Sequence, residues 1–194
     1  MGYDTNFSGT FSLDKPLTVA HKAYLAAFAD TRRMKRDVSK VSLLPDPLRV
    51  NVGLPYGPEG CYHVGGLDSD DVLDHNKPPE GQPGLWCQWV PTEDGTGIEW
   101  DSGEKFYAYL VWIPYLIDHF LKPWGYVVNG KVEWSGDDDD DRGCIHVRNN
   151  VVKAVKARIV NEEPDWGDSD DSQPDPAPDP IDSIVEALSG EDEG

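Results

Sequence analysis

"YVVNGKVEW", Tyr126 to Trp134, is the stretch on which the fold reading turns. Asn129-Gly130 is the pair that a two-residue type I′ turn prefers, because both central residues then take positive φ. Read as a hairpin, it sets Val127 opposite Val132 on one face and Val128 opposite Lys131 on the other. Farther on, "CIHVRNNVVKAV" repeats the plan. Asn149-Asn150 supplies a second tight turn there and puts Val147 opposite Val152. The end of the folded body is therefore predicted to be a meander of short antiparallel strands.

Upstream, "LWCQWVP", Leu85 to Pro91, alternates so that Trp86 and Trp89 fall on opposite faces of a strand. "TEDGTG" turns the chain and "IEWD", Ile98 to Asp101, returns it. Asp101 and Glu104 have capping-box spacing, which predicts a helix carrying Phe106, Leu110, Ile113, Ile117 and Phe120 on one stripe. Pro114 is expected to kink it, since proline donates no backbone bond and crowds the preceding turn. At the start of the chain "FSGTFSL", residues 7–13, alternates as a strand. Thr18 then caps a helix whose apolar positions are Val19, Tyr24, Leu25, Ala27 and Phe28. That helix is expected to fade into a solvated basic end, "TRRMKR", Thr31 to Arg36, which suits the negative end of the helix dipole.

The order is strand, helix, long loop, strand, strand, helix, then a meander. This predicts an α+β fold: an antiparallel sheet with two helices on one face, ferredoxin-like β-α-β-β-α-β with added C-terminal hairpin strands. A curled sheet around one long helix is the competing arrangement. Residues 1–160 are expected to form a single domain. Residues 45–84 form a Pro/Gly-rich insertion, too long to be mere linker inside a compact domain. Residues 161–194 read as an acidic, largely disordered tail that cannot bury enough apolar surface to offset its ordering entropy. Within it, Ile181, Ile184, Val185 and Leu188 recur at i, i+3, i+4, i+7, a short amphipathic helix over residues 181–189.

Seventeen Lys and Arg face 36 Asp and Glu, a net charge of −19. Thirteen of the acids, and no base, lie in 161–194, so residues 1–160 hold 23 acids against 17 bases. Such a chain is a poor ligand for nucleic acid or anionic membrane, which need clustered Lys and Arg. A protein with a basic surface is the better partner. No run of apolar residues is long enough to span a bilayer. The N-terminus lacks the features of an export signal, and three widely spaced cysteines then suggest reduced thiols.

Two clusters invite a chemical reading. "GDDDDDRGCIH", Gly136 to His146, could offer Asp137, Asp139 and Asp141 to a cation, and so serve a small metal-dependent hydrolase. Calcium loops, however, interleave their carboxylates so that the oxygens converge, and five adjacent aspartates repel one another. A solvated connection between strands is the simpler account. Cys61 with His63, and Cys144 with His146, are two Cys-x-His pairs whose members share a strand face. Together they would make a Cys2His2 zinc set, though not at a familiar spacing. We therefore expect no cofactor and no catalytic residue. Some of Trp89, Trp100 and Trp134 are expected to face away from the helices as an exposed aromatic surface, which with Tyr56 and Tyr62 of the insertion and Ile181, Ile184, Val185 and Leu188 of the tail helix makes up the expected partner-binding residues.

The phrases "DGTGIEWDSGEKFY", "FLKPWGY", "NGKVEWSG" and "DRGCIHVRNN" resemble a family of small proteins encoded by bacteriophages and prophages, and "NFSGTFSLDKPLT" fits as well. The likeness covers about half the chain plus that start. It implies a phage gene product acting in the cytoplasm of an infected bacterium, and it carries no catalytic residue with it. The expectation is an acidic interaction module that binds a host or defence protein, by charge mimicry of nucleic acid in one version. A metal-dependent hydrolase and a virion or assembly component are the alternatives.

Overall fold

Eight strands and four helices follow one another in the described part of the chain: β1 (Thr5–Leu13), α1 (Val19–Ala29), β2 (Lys35–Arg36), α2 (Val38–Val41), α3 (Pro47–Asn51), β3 (Val72–Asp74), β4 (Trp89–Pro91), β5 (Gly97–Trp100), α4 (Tyr109–Leu116), β6 (Val128–Gly136), β7 (Arg142–Arg148) and β8 (Val151–Lys156). A π-helical segment, Ile117–Leu121, continues α4. The computed structural model describes residues 2–55, 69–138 and 140–157, all within one unit spanning Met1–Ile159. Tyr56, Tyr62, Cys61, His63, Asp139 and the expected helix at Ile181, Ile184, Val185 and Leu188 lie outside the described residues.

The protein is α+β, with six strands in one antiparallel sheet ordered β4-β5-β1-β6-β7-β8 and a separate β2-β3 ribbon. Side-chain alternation divides the large sheet cleanly. Phe11, Ile98, Val128, Val132, Trp134, Ile145 and Val147 face inward and are buried, in one core with Tyr24, Leu25 and Phe28 of α1 and Trp112, Ile113 and Leu116 of α4. The opposite face carries Ser8, Thr10, Lys131, Glu133, His146 and Lys153, all exposed. Aromatic edges lock the helix layer: Phe28 meets Trp112 at 6.0 Å and Phe120 at 5.0 Å. Thr18 caps α1 as its sequence predicts, its Oγ1 accepting from the His21 amide at 3.2 Å. Val19 is an exception to the expected apolar stripe, standing 89% exposed.

Asn129-Gly130 is not a turn. Strand β6 runs through it, with Gly130 paired to Phe11 on one side and Val147 on the other. The pairing expected for Val127 and Val128 is replaced: Val132 lies between Gly9 and Ile145, and Lys131 between Thr10 and His146. Glycine serves here because the backbones approach closely. Gly130 sits at φ 138°, and a Cβ on it would meet the Thr10 carbonyl oxygen at 2.7 Å. Asn149-Asn150 is the true turn, with φ 50° and 68°, and Val147 does pair with Val152.

Two further expectations give way to tertiary packing. Asp101 does not start a helix. Its Oδ1 accepts from the Gly103 amide at 2.7 Å, the chain takes positive φ at Ser102, Lys105 and Ala108, and α4 begins only at Tyr109. The basic "TRRMKR" segment is not a solvated helix end. Arg33, Met34 and Arg36 are buried beneath the chain that follows β3 and the segment before it. Arg36 pairs with Asp71 at 2.5 Å, and the Arg33 guanidinium lies 4.1 Å over the Phe28 ring. Burial pushes the Asp71 carboxyl up, but the Ser69 hydroxyl and the Arg36 guanidinium outweigh it and hold the group below its ordinary value. Pro114 does sit inside α4, and the ladder beyond it relaxes to π spacing, with the Lys122 amide bonded to the Ile117 carbonyl.

Candidate functional site

The aspartate run closes the β6–β7 connection and fastens the N-terminal segment to it. Asp137 Oδ2 accepts from the Asp4 amide at 2.8 Å. Asp141 accepts from the Tyr3 hydroxyl at 2.6 Å and from the Trp134 indole N–H at 3.2 Å. The Tyr3 hydroxyl, helped by the indole, holds the Asp141 carboxyl below its usual range, and burial only partly offsets this. Asp4 in turn accepts from the Lys105 amide at 3.1 Å. Asp137 and Asp141 thus point at different protein donors rather than at a common centre. Among the described residues no group of three His, Cys, Asp or Glu is arranged to hold a metal ion.

Cys144 and His146 do share a face, the outer one, opposite Glu133 and Lys131. Partial burial pushes the Cys144 thiol up; Lys131 pulls against this and Glu133 adds to it. The group therefore rests as a thiol at neutral pH, a weak nucleophile. Cys87 is fully buried, which raises its thiol to about 12 and leaves it inert. His119 stacks on Tyr115 at 4.0 Å, its ring committed to the helix surface.

Trp89, Trp100 and Trp134 do not form an exposed aromatic face. All three point toward the helix layer: Trp89 and Trp134 are buried, Trp100 is half-buried against Phe7, and the Trp89 indole donates to the Tyr109 carbonyl. The register explains it. Trp89 opposes Trp100 across β4 and β5, and Trp134 opposes Phe7 across β6 and β1, so each shares the face of the core residue Phe11.

Among the described residues the accessible aromatics are Trp86 and Tyr107. Trp86 is 44% and Tyr107 60% exposed, with Val111 at 57% nearby on α4. Trp86 is the tryptophan that alternation places opposite Trp89, so that signal was present in the sequence. Tyr107 carried no such signal, because its exposure depends on a loop conformation. It stands between Lys105 (φ 58°) and Ala108 (φ 55°), two left-handed residues without glycine's freedom. The loop is held by Gln88, whose Nε2 donates to the Glu104 carbonyl at 2.8 Å while its Oε1 accepts from the Trp100 indole at 3.1 Å.

Three neighbouring hollows on this side share lining residues. One of about 350 Å³ lies between Ala26, Asp30, Trp86 and Asp101. The next, of about 570 Å³, shares Trp86 and Gln88 with it and is closed by Leu85 and Tyr107. The third, of about 420 Å³, shares Pro83 with the second and runs past Val111 and Pro114. Arg32 lies over the Trp86 ring at 5.9 Å. Asp101 stays accessible, yet its surroundings desolvate the carboxyl enough to push it up, against the pull of the Gly103 amide. The result is a set of adjoining, mainly apolar hollows with charged side chains beside them.

The chain matches no protein-family model, and no curated protein or solved structure is significantly similar to it. Among the described residues no helix is long and apolar enough to cross a membrane.

Proposed function

We propose that this protein is a non-enzymatic interaction module that grips another protein in the groove between Trp86, Tyr107 and Val111. The observation that carries this reading is the meeting of two exposed aromatic anchors, Trp86 and Tyr107, on one mainly apolar hollow with Glu104 and Lys105 at its edge. Large aromatic side chains that can become fully desolvated supply most of the energy at protein interfaces. Holding Lys105 and Ala108 at positive φ costs about 1–3 kcal/mol each, and it fixes Tyr107 before a partner arrives.

The resemblance to phage-encoded proteins supports a host or defence protein as the target, with the infected bacterial cytoplasm as the place of action. The 13 acids of residues 161–194 support a partner with a basic surface, steered by charge and, in the stronger version, by mimicry of nucleic acid. For the fold itself, the run β4-β5-β1-β6 supports a ferredoxin-like β-α-β-β-α-β plan, with β7 and β8 added as a hairpin at one edge.

The test is affinity capture from infected cells with the full chain and with the double variant Trp86→Asp/Tyr107→Asp. A specific prey that survives washing with the wild type, and falls at least tenfold with the double variant, is the expected result. Capture untouched by the double variant, at unchanged thermal stability, would remove the groove from the function.

A further inference from the structure

The β7–β8 hairpin stands apart from the rest of the chain in charge. Residues 142–157 contain Arg142, Arg148, Lys153 and Lys156, with His146 among them, and no Asp or Glu, within a protein of net charge −19. Alternation sends Arg142, His146, Arg148 and Lys153 to the outer sheet face, where they are exposed and no described helix covers them. Two shallow hollows of about 570 and 830 Å³ lie on this face, and His146 borders both.

Among the described residues β8 is also the last strand of the sheet. In an antiparallel pair, alternate residues direct their N–H and C=O toward the partner strand and the others direct them away. The Ala157 amide bonds to the Arg142 carbonyl at 2.7 Å. By that alternation Val151, Lys153 and Val155 complete the ladder to β7, and Val152, Ala154 and Lys156 turn their backbone groups to the outer edge, where no described strand meets them. This edge contains no proline and no bulge, and Val151 and Val155 are 59% and 57% exposed. Such an edge is a template for another strand.

We infer that this edge of β8, which no described strand pairs, takes up an extended acidic peptide segment of a partner protein as a further strand. The incoming backbone bonds to Val152, Ala154 and Lys156. Its outward side chains are acidic and lie on the side of Lys153, Arg148 and Arg142; its inward side chains are apolar and extend the core beyond Val152 and Ala154. Charge decides among the alternatives. A second copy would set its own Lys153 and Lys156 against those of this strand, like charge on like, which disfavours pairing of β8 with its own counterpart. Single-stranded nucleic acid needs aromatic platforms for its bases, and β1, β6, β7 and β8 show no Phe, Tyr or Trp on the outer face. The inference concerns a different surface from the groove, and it stands or falls separately.

The probe is a fluorescein-labelled peptide of eight residues alternating Glu and Val, titrated with the full-length protein and followed by anisotropy. A peptide with Lys in place of Glu and an oligo-dT of similar length are run beside it. We expect saturable binding of the acidic peptide only, weakening as salt is raised. Ala154→Pro removes one edge donor while leaving the ladder to β7 intact, and should weaken binding at least tenfold. Lys153→Glu should do the same, with both variants shown to melt near the wild-type temperature. If Ala154→Pro unfolds the protein, Lys153→Glu alone decides. Trp86→Asp/Tyr107→Asp should bind the peptide like wild type. Absence of binding, equal binding of the Lys peptide, preference for oligo-dT, or a dimer in solution dispersed by Ala154→Pro would each overturn the inference.

Discussion

Gly130 and Asn150 lie 20 residues apart, both at positive φ, and do opposite things. Gly130 is inside a strand, with neighbours on both sides. Asn150 is in the turn that ends one strand and begins the next. The two regions touch. Asn129 Oδ1 accepts from the Asn149 amide at 2.8 Å, the Asn150 amide donates to the Val128 carbonyl at 3.1 Å, and Asn150 Oδ1 accepts from the Val128 amide at 2.7 Å. The pair that looks like a turn thus helps to cap the real one. Positive φ has two distinct uses here: closing a chain reversal, and letting two backbones come within a side chain's width of each other.

The comparison can be broken most forcefully at Gly130. Gly130→Val puts a branched side chain at φ 138°, where even a Cβ would lie 3.1 Å from the Phe11 Cα. We expect a loss of at least about 3 kcal/mol, read by denaturant unfolding, or failure to fold at 37 °C. If Asn129-Gly130 were a turn, the same variant would cost little more than its local strain. Next comes Asn150→Ala, which loses the bonds to the Val128 amide and the Tyr126 carbonyl and leaves a non-glycine residue at φ 68°. Its expected cost is about 2–3 kcal/mol. Asn129→Ala removes a single bond to the turn and should cost about 1 kcal/mol, with the melting transition still cooperative.

A second true reversal in the sheet sharpens the contrast with the smallest effect. Asp94-Gly95, between β4 and β5, is a true reversal, with Gly95 at φ 73°. The Thr96 amide, followed by the hydroxyls of Thr92 and Thr96, lowers the Asp94 carboxyl from 3.8 to about 2. A lowered folded-state value means that the carboxylate stabilises the fold above its unfolded value, and that this contribution fades as pH falls through the folded one. The wild type should therefore lose its advantage over Asp94→Asn between about pH 4 and pH 2, in parallel acid titrations followed by tryptophan fluorescence. Equal acid slopes for the two proteins would show that the threonine bonds do not hold the turn.

Much of the architecture is legible without coordinates. Alternation in Phe7–Leu13, the Thr18 cap, the Asp94-Gly95 reversal and the Asn149-Asn150 turn all act over a few residues, and each forms as its sequence indicates. The errors share a different character. Arg33 and Arg36 read as a solvated helix end because nothing nearby shows that Asp71 and Leu85 will close over them. Asp101 reads as a cap because the chain beyond it gives no sign that Ser102 leaves the helical region. Trp89, Trp100 and Trp134 face the core rather than solvent, which alternation does not reveal, because it orders residues within a strand and does not say which face the helices will cover. Trp86, the partner of Trp89 in that alternation, is the exposed one among the described tryptophans.

Local sequence by itself determined where strands and helices could form, and which dipeptides could reach positive φ, since those are properties of short peptides in water. The tertiary structure alone decided whether Asn129-Gly130 would reverse the chain. A strand continues through such a pair only if partners on both flanks satisfy its amides and carbonyls. Strand β1, more than a hundred residues earlier, supplies one flank, and β7 supplies the other once the aspartate connection has closed. That ladder of bonds, assembled from distant parts of the chain, outweighs the local turn preference.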